Sequence, residues 1–290
     1  MSIIELAQNL ELGAHGIWIS SKTESVSYPK DGHSRCFETE NDSFWFQHRN
    51  DCIVATIKRF PPSGAMLEVG GGNGYVARRI LDEGFECALL EPGPIGALNA
   101  KKYRKIPEVI CSTLEAAQFE PGKLAAVGVF DVLEHIEDDS LMVSTIYDLL
   151  QPGGLVYCTV PAHQWLWSKH DVTAGHFRRY DRDSIKNLFL GQFELLYFSY
   201  FFAALTLPIF FLKALPFRLF KGRSILSQKA EHGAEGGRLI SMLKILLERE
   251  TGKITGGASL PTGTSCLIVA RKVTSQPTKH FDKLKTVLSL

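Results

Sequence analysis

The stretch Met-Leu-Glu-Val-Gly-Gly-Gly-Asn-Gly at residues 66–74 limits what this chain can fold into more than any other part of the sequence. Its apolar first half predicts a short buried strand, and the glycines end that strand abruptly. The residues that follow, 75–81, place their apolar side chains on one helical face. Glycines allow backbone N–H groups to approach a ligand closely, and the N-terminus of the helix adds a partial positive charge. The stretch therefore predicts a strand–turn–helix unit that cradles a ligand.

Three kinds of nucleotide-binding turn compete for this stretch. A phosphate-binding P-loop requires Gly-Lys-Ser/Thr after the glycines, and the sequence has none there. A dinucleotide-binding G-x-G-x-x-G beginning at Gly70 would require glycine at the position of Tyr75. The pattern present is acid-x-G-x-G-x-G, formed by Glu68, Gly70, Gly72 and Gly74. A purely structural turn in another α/β protein is the remaining alternative.

Apolar runs that alternate with predicted helices follow the glycine turn. They predict four further strands, over residues 86–91, 109–111, 125–130 and 155–160. This alternation is typical of a parallel, doubly wound sheet. Glu91 follows the glycine turn at the distance that a βαβ unit requires, where a carboxylate can accept hydrogen bonds from both hydroxyls of a ribose. Ser112 and Thr113 follow the third strand, where the edge of an adenine could lie.

Four segments support a resemblance to a known family. In order along the chain these are Leu-Glu-Val-Gly-Gly-Gly-Asn-Gly at 67–74, the acid Glu91, Phe-Asp-Val-Leu-Glu-His at 130–135 and Leu-Gln-Pro-Gly-Gly at 150–154. Together they resemble the class I S-adenosylmethionine (SAM)-dependent methyltransferases that act on small molecules or lipid-linked metabolites. The resemblance covers roughly residues 41–200 and a last strand near 264–272. It implies an α/β fold with a Rossmann-like, doubly wound, seven-stranded and mostly parallel sheet.

The resemblance also implies which residues bind the cofactor. These are Glu68, Gly70, Gly72 and Gly74 at the turn and the methionine end of SAM, Glu91 at the ribose, Ser112 and Thr113 beside the adenine, and Asp131 beside the sulfonium. The family's usual acid at the end of the third strand is replaced here by Ser112-Thr113, which alters the adenine contacts. Methyltransferases acting on base amines carry Asn/Asp-Pro-Pro-Tyr after strand four, where this chain has Asp-Val-Leu-Glu. A nucleic acid partner is therefore not expected.

The segment from 160 to 180 combines aromatic residues, arginines and histidines at the carboxyl edge of the predicted sheet, where open α/β folds bind ligands. As a lid over the substrate, its arginines would clamp an anionic group and its histidines would handle protons. The candidate substrate-binding residues are His163, Trp167, His170, Arg178, Arg179 and Tyr180. One alternative is a loop-to-helix cap whose arginines pair with surface acids. Another is a metal site at His163, His170, Asp171 and His176.

Methyl transfer to a hydroxyl favours a base whose pKa lies near neutrality, and histidine meets that requirement without a large shift. His135 follows the fourth predicted strand, and His176 lies on the predicted lid. We expect one of the two to be the catalytic base, with Asp131 and Glu134 shaping the site. The structural alternatives are a helix-start residue bonded to the backbone for His135 and a residue that fixes the lid for His176.

A sixth strand is predicted over 193–201 and a seventh over 264–270, with about sixty residues between them, far more than a hairpin loop holds. The resulting helical insertion, 202–258, begins in an uncharged apolar run that Pro208 interrupts, so a membrane span is not expected. Basic residues follow on the same apolar background. Residues 202–223 are therefore predicted to contact a membrane surface peripherally, or to bind an acyl or polyprenyl chain. Extra core or a subunit interface in a homodimer is the alternative.

The rest of the chain divides around this predicted methyltransferase domain, which spans residues 41–273. Residues 1–40 are expected to form an N-terminal arm or cap, and residues 274–290 a loosely ordered tail. Four residues in and after the arm have a spacing that superficially resembles a zinc site: His33, Cys36, His48 and Cys52. Their order matches none of the common structural sites, so no metal is expected.

Charge and cysteine usage bear on partners and location. The formal net charge is +1, so no overall field attracts nucleic acid or a membrane. The six cysteines are scattered without a C-x-x-C pair, which favours free thiols in a reducing cytoplasm over disulfides. The first residues lack a basic segment and a long apolar core, so no signal peptide is expected. The predicted location is cytoplasmic, with association at a membrane through 202–223.

These inferences predict a SAM-dependent methyltransferase that methylates a hydroxyl on a small or lipid-linked metabolite, such as a saccharide. A catalytically silent protein that binds SAM or a metabolite and acts through its apolar insertion is the alternative. A nicotinamide-dependent or nucleotide-sugar oxidoreductase is disfavoured by Tyr75, which stands where a dinucleotide fingerprint has glycine.

Overall fold

The computed structural model describes residues 2–21, 32–219 and 238–273, and of residues 32–35 and 238–240 it describes the backbone alone. The strands are β1 (Glu11–Leu12), β2 (Trp18–Ile19), β3 (Met66–Val69), β4 (Cys87–Leu90), β5 (Glu108–Cys111), β6 (Leu124–Phe130), β7 (Leu150–Pro161), β8 (Phe193–Phe201) and β9 (Ser265–Lys272). The helices are α1 (Gly32–Thr39), α2 (Phe44–Arg59), α3 (Tyr75–Asp82), α4 (Pro94–Lys102), α5 (Leu114–Ala117), α6 (Asp139–Leu149), α7 (Lys169–Ala174), α8 (Arg182–Phe189), α9 (Thr206–Ile209), α10 (Leu215–Leu219) and α11 (Arg238–Thr255).

The strands form one sheet in the order β1-β2-β5-β4-β3-β6-β7-β9-β8. Neighbours from β2 to β7 are parallel, whereas β1 and the pair β9-β8 run antiparallel to their neighbours. The strand before the glycine turn, β3, lies at the centre of the sheet. Because helices cover a parallel sheet on both faces, all four residues of β3 are buried. The predicted Rossmann-like, mostly parallel sheet is confirmed.

The sheet has nine strands among the described residues, whereas the sequence predicts seven. The two additional strands are β1 and β2 of the N-terminal arm, and β2 extends the sheet by pairing with β5. Each is only two residues long. An alternation of apolar and polar residues needs at least four residues to be visible in a sequence, so neither strand leaves a pattern.

The fifth predicted strand, 155–160, begins earlier than expected, because β7 starts at Leu150. Pro152-Gly153-Gly154, which the sequence suggests as a break, lies inside this strand. The pairing of β7 with β6 shifts register there, as a β-bulge does, and Gly153 has a φ of 76°. The predicted breaker is therefore a bulge that β7 accommodates.

Helices pack on both faces of the sheet. On one face α6 and α8 contribute Ile146 and Phe189 to a core cluster. On the other face α2, α3 and α11 contribute Ile57, Ile80 and Leu247. This two-sided burial accounts for the apolar runs along the central strands.

The insertion between β8 and β9 forms two helical segments among its described residues. The first runs without a break from Ala203 through α9, a π-helical turn at Phe210–Ala214 and α10. The second, α11, packs against α2, and the carboxylate of Glu250 lies 2.8 Å from His48 Nε2 in that buried contact. No helix within the described ranges is long and apolar enough to cross a membrane. Residues 220–223 of the predicted membrane segment and the predicted tail at 274–290 lie outside the described residues.

Candidate active site

The glycine turn between β3 and α3 has a backbone that favours glycine. Gly70, Gly72 and Gly74 have φ values of 69°, 55° and 76°. A Cβ on Gly70 would lie 2.8 Å from Val132 Cγ2, and a Cβ on Gly74 would lie 2.9 Å from Ala100 Cβ. Backbone conformation therefore favours glycine at all three positions, and the available space also requires it at Gly70 and Gly74.

Glu91 directly follows β4, next to the glycine turn, and is buried. Its carboxylate accepts hydrogen bonds from Gly72 N at 2.8 Å and from Gly93 N at 2.6 Å. Burial raises the pKa of Glu91 to about 7, although these two hydrogen bonds act in the opposite direction. The acid predicted for the ribose is thus fixed beside the turn by the turn itself.

Glu68 lies within β3 and is only 1% exposed. Burial raises its pKa to about 8, while the charge of Arg49 and a hydrogen bond from Ala77 N lower it. Ala77 belongs to the first turn of α3, so the carboxyl group ties the strand to the helix behind the glycines. This position favours a role in holding the turn over direct contact with a cofactor.

Ser112 and Thr113 follow β5 at the carboxyl edge of the same parallel sheet. Thr113 Oγ1 accepts a hydrogen bond from Ala116 N at 3.2 Å and so caps the short helix α5. Ser112 Oγ donates to the carbonyl oxygen of Thr113 at 3.0 Å. The pair lies on the predicted side of the cradle, with both hydroxyls in local hydrogen bonds.

Asp131 directly follows β6 and pairs with a residue that the sequence analysis missed. Asp131 Oδ2 lies 3.0 Å from Arg49 Nε, and Oδ1 accepts a hydrogen bond from Thr159 Oγ1 at 3.1 Å. Arg49 is buried on α2, and its guanidinium lies over the ring of Trp45, 5.5 Å from the ring centroid. A charged residue within the buried face of α2 is the signal that would have revealed it.

Left-handed backbone marks this edge of the sheet. Asp131, His163 and Phe202 have φ values of 57°, 60° and 59°. Each lies just beyond the end of a strand, β6, β7 or β8, and the strand registers place those ends at one edge. Non-glycine residues in this conformation are strained by about 1–3 kcal/mol each, and such strain concentrates at functional sites.

Two histidines that are distant in sequence meet at the same edge. The rings of His135 and His176 contact each other edge to face, with 4.7 Å between centroids. His176 Nδ1 lies 3.0 Å from Asp171 Oδ1, and Phe177 N donates to the carbonyl oxygen of Glu134. The backbone bond holds the predicted lid against the segment after β6, and the Asp171 carboxylate holds one nitrogen of His176.

Burial controls protonation in this cluster. It lowers the pKa of His135 to about 4, and the neighbouring His176 acts in the same direction. It also raises the pKa of the fully buried Glu134 carboxyl well above its usual range, with the charge of Asp131 adding to that effect. At neutral pH His135 is therefore an uncharged imidazole, and burial favours the protonated form of Glu134 more than in an exposed carboxyl group.

The predicted anion clamp has internal partners instead. Arg178 donates to the carbonyl oxygens of Ile136 and Glu137 and pairs with Asp139 at 3.0 Å. Tyr180 is buried, and its hydroxyl donates to that same aspartate at 2.8 Å.

Arg179, the other predicted clamp residue, pairs with Asp171 at 2.7 Å and donates to the carbonyl oxygen of Ala162. Like Arg178 and Tyr180, it is thus engaged within the chain. These contacts favour the cap alternative, in which the three residues hold the lid segment.

The remaining predicted substrate residues lie apart from one another. His163 stacks between Trp165 and Tyr200, with centroid distances of 5.2 and 4.7 Å. His170 is exposed, and its ring lies 6.1 Å from that of His176. Trp167 follows a short 3₁₀ turn and is half-buried. His163 and Tyr200 therefore offer an aromatic wall, whereas His170 lies at the rim.

Among the described residues, two groups of side chains have the spacing that a metal ion needs. Glu134, His135 and His176 place their candidate ligand atoms within 4.8 Å of one another, as do His48, Cys52 and Glu250. In the second group, Glu250 also accepts hydrogen bonds from the backbone N–H groups of Phe202 and Ala203, so it serves as a structural tie.

Neither of these two groups is one of the metal-binding sets that the sequence suggests. Of His163, His170, Asp171 and His176, the structure gives a direct polar contact only between Asp171 and His176 among the described contacts. The side chain of His33, in the zinc-like set, lies outside the described residues.

Comparison with known proteins identifies the family and the fold. A family model described as a methyltransferase domain matches residues 44–193. The ubiquinone biosynthesis O-methyltransferase of Pectobacterium carotovorum subsp. carotovorum (strain PC1) is 32% identical over 97 residues, which cover 32% of this chain and 41% of that protein. The phosphoethanolamine N-methyltransferase 2 of Caenorhabditis elegans is 30% identical over 115 residues, covering 37% of this chain and 26% of that protein. The aligned region is therefore less than half of each of these relatives.

Solved structures share the fold. The phosphoethanolamine N-methyltransferase 2 of Haemonchus contortus, in complex with SAM, has a TM-score of 0.52 at 19% identity and covers 83% of this chain and 57% of its own. A SAM-dependent methyltransferase of Thermotoga maritima, a possible histamine N-methyltransferase, has a TM-score of 0.52 at 14% identity. The match covers 83% of this chain and 95% of the Thermotoga maritima chain. Identities this low establish the fold alone.

The glycine cradle makes a direct prediction about ligand choice. SAM and S-adenosylhomocysteine should raise the melting temperature of the protein, because a ligand that binds only the folded state stabilises it. NAD and ATP should not. Gly72→Val should abolish the shift, since a β-branched side chain is strained at a φ of 55° and would fill the cradle. Differential scanning fluorimetry measures the melting temperature of both proteins with each of the four ligands.

Gly84→Ala is the matched control for Gly72→Val. Gly84 also has a positive φ, 85°, but a Cβ there meets nothing within 4 Å. This variant should melt at a lower temperature yet keep the full SAM shift. Stabilisation by NAD without stabilisation by SAM would contradict the predicted cofactor.

Proposed function

Because the chain belongs to the methyltransferase-domain family, we propose that it transfers a methyl group from SAM to a hydroxyl of a small or lipid-linked metabolite. One observation carries the proposal. The glycine turn with Glu91 and the Asp171–His176 pair lie at the same carboxyl edge of one sheet. Open α/β sheets bind their ligands at that edge.

In this proposal the cofactor follows the edge from the turn toward β5. Gly70, Gly72 and Gly74 receive the methionine end, and Glu91 accepts hydrogen bonds from the ribose hydroxyls. The adenine lies near Ser112-Thr113, and the sulfonium lies near Asp131. The hydrogen bonds from Gly72 N of the turn and from Gly93 N, which orient Glu91, support its part in this assignment.

The chemistry is an in-line displacement. The acceptor oxygen forms a bond to the methyl carbon, the carbon–sulfur bond breaks, and the electron pair stays on sulfur to give S-adenosylhomocysteine. The hydroxyl proton passes to a base as the methyl group arrives. Holding oxygen, carbon and sulfur in line supplies most of the acceleration, and a positioned base adds roughly 10²–10⁴-fold.

His176 is the better candidate for that base. Its Nδ1 is held by the Asp171 carboxylate, which leaves Nε2 to receive a proton. His135, with its pKa lowered to about 4, is a weak proton acceptor at neutral pH. Its ring instead packs against His176 and limits the positions that the base can adopt.

A neutral hydroxyl fits the charges of the site better than an anion. Arg49, Arg178 and Arg179 at this edge each already pair with a carboxylate. An oriented imidazole also suits a hydroxyl, which must lose its proton, more than an uncharged amine, which attacks through its lone pair. The aromatic wall of His163 and Tyr200 suits a planar or apolar acceptor body.

Apolar side chains on the insertion support a lipid-linked acceptor and contact with a membrane. Leu207, Phe211 and Leu219 are exposed on the segment from 203 to 219, and α11 exposes Met242 and Ile245. Exposed basic residues accompany them on the same two segments: Arg218, Lys244, Arg249 and Lys253. Apolar side chains with a basic surround suit an anionic bilayer surface. Trp165 next to the site contacts Phe210, so this surface adjoins the proposed acceptor site.

The first prediction of this proposal concerns the base. His176→Ala should keep its affinity for SAM and lower turnover by the roughly 10²–10⁴-fold typical of a lost general base. His135→Ala should keep SAM affinity with a smaller loss of turnover. The acceptor is first identified by mass spectrometry of cell extracts incubated with methyl-labelled SAM, and turnover is then measured with it.

Three outcomes would count against this assignment. Normal turnover by both variants would mean that proximity alone carries the reaction. Activity lost in EDTA and restored by Mg²⁺ or Mn²⁺ would assign Glu134, His135 and His176 to a metal ion instead. SAM binding without any labelled product would favour the catalytically silent alternative.

The second prediction concerns the membrane surface. Replacing both Leu207 and Phe211 with serine should reduce binding to vesicles that contain phosphatidylglycerol, measured by co-sedimentation, while SAM affinity stays unchanged. Leu190→Ser is the control, because Leu190 is 74% exposed but lies outside the insertion, directly after α8. Equal vesicle binding by all three proteins would contradict the proposal. Loss of self-association in the double variant would instead identify a homodimer interface.

A further inference from the structure

We infer that Asp171 is a positioning residue that fixes the ring orientation and tautomer of His176. This inference rests on the proposed function, since it concerns the base of that reaction. Asp171 lies in the first turn of α7, and its side chain is fully buried. A buried carboxylate is costly unless each oxygen has a partner, so its contacts show what it is built to do.

Both carboxylate oxygens of Asp171 are fully engaged. Oδ1 lies 3.0 Å from His176 Nδ1 and 2.7 Å from Arg179 Nε. Oδ2 accepts hydrogen bonds from Arg179 Nη2 at 3.1 Å and from Ser168 N and Oγ at 2.9 and 3.1 Å. The two-point contact with the guanidinium fixes the plane of the carboxylate, and therefore the direction of the bond to His176.

The charge state of Asp171 follows from these contacts. Burial alone would raise the pKa of Asp171, but the hydrogen bond with His176 and the charge of Arg179 outweigh it and hold that pKa well below its usual range. The carboxylate is therefore ionised at every physiological pH and only accepts hydrogen bonds. His176 must then carry its proton on Nδ1 in the neutral form, which leaves the lone pair on Nε2.

Arg179 has a defined part in this arrangement. As a permanent cation on the same carboxylate, it opposes transfer of the His176 proton to Asp171. The carboxylate can thus orient the imidazole and stabilise the imidazolium that forms, without becoming protonated itself. The internal pairing of Arg179, which argues against a substrate clamp, gives it a role in positioning the base.

A simpler interpretation is that Asp171 only stabilises the lid. It completes a capping box with Ser168 at the start of α7, and its carbonyl oxygen accepts a hydrogen bond from His176 N. That role requires a stable helix start but no particular tautomer at His176. The two interpretations therefore differ in how they connect Asp171 to proton transfer.

The first experiment reads the tautomer directly, by ¹⁵N NMR of histidine side chains in the full chain bound to S-adenosylhomocysteine. In the wild-type protein we expect His176 to be protonated on Nδ1 and unprotonated on Nε2. Asp171→Asn should move the proton to Nε2 for part of the population, because the amide can donate to Nδ1. Ser168→Ala, which removes one hydroxyl from the same carboxylate, should leave the tautomer unchanged.

The second experiment separates positioning from stability by using phenols of increasing pKa as acceptor probes. The ratio of wild-type to Asp171→Asn kcat should increase with the pKa of the phenol, because weaker acids depend more on a base. For the least acidic phenol the ratio should reach roughly 10²-fold or more. Variants damaged only in stability would lose the same factor with every phenol.

The outcomes are distinct. A wild-type His176 that is protonated on Nε2 overturns the inference, even if Asp171→Asn does not fold. So does a kcat ratio that is constant across the phenols. Failure of S-adenosylhomocysteine to bind would instead count against the proposed function, because the tautomer can also be read in the unliganded protein.

Discussion

The left-handed turn at Gly70, Gly72 and Gly74 is the constraint on which the rest of the site depends. It ends the central strand of the sheet within a few residues and starts α3 with its N-terminus toward the carboxyl edge. Two buried carboxyl groups flank it: Glu68 behind the turn and Glu91 beside it. Because the backbone N–H of Gly72 donates a hydrogen bond to the carboxylate of Glu91, the conformation of the turn determines the position of that carboxylate.

A second layer of structure packs on one face of the sheet, next to the same carboxyl edge. α2 from the N-terminal part of the domain and α11 from the insertion meet through His48 and Glu250. Glu250 also holds the backbone after β8, where Phe202 is strained and stacks on Trp45. The insertion is therefore joined to the domain at a residue that adjoins the site. Its buried contacts explain how one element can adjoin the site and still present apolar side chains to solvent.

Periodicity and glycine spacing predict the central architecture because the parallel strands and the turn are each dictated by local sequence. β3, β4, β6 and β8 lie where the apolar runs place them, and Glu91 lies beside the turn as predicted. Pairings between distant residues leave no such signal. The contact of Arg49 with Asp131 spans four strands and three helices of sequence, and only the tertiary structure brings it about. The sequence suggests that the arginines of the lid clamp an anion, because it does not show that they pair with Asp139 and Asp171. Those ion pairs form only in the folded structure.

In the proposed reaction, SAM lies along this edge with its methyl group facing His176. The most direct measurement is a nuclear Overhauser effect between the ¹³C-labelled methyl group of bound SAM and the ring protons of the histidines. We predict a cross-peak to the His176 ring that disappears in His176→Ala while SAM stays bound. Cross-peaks from the bound methyl group only to residues away from His135 and His176 would contradict the account.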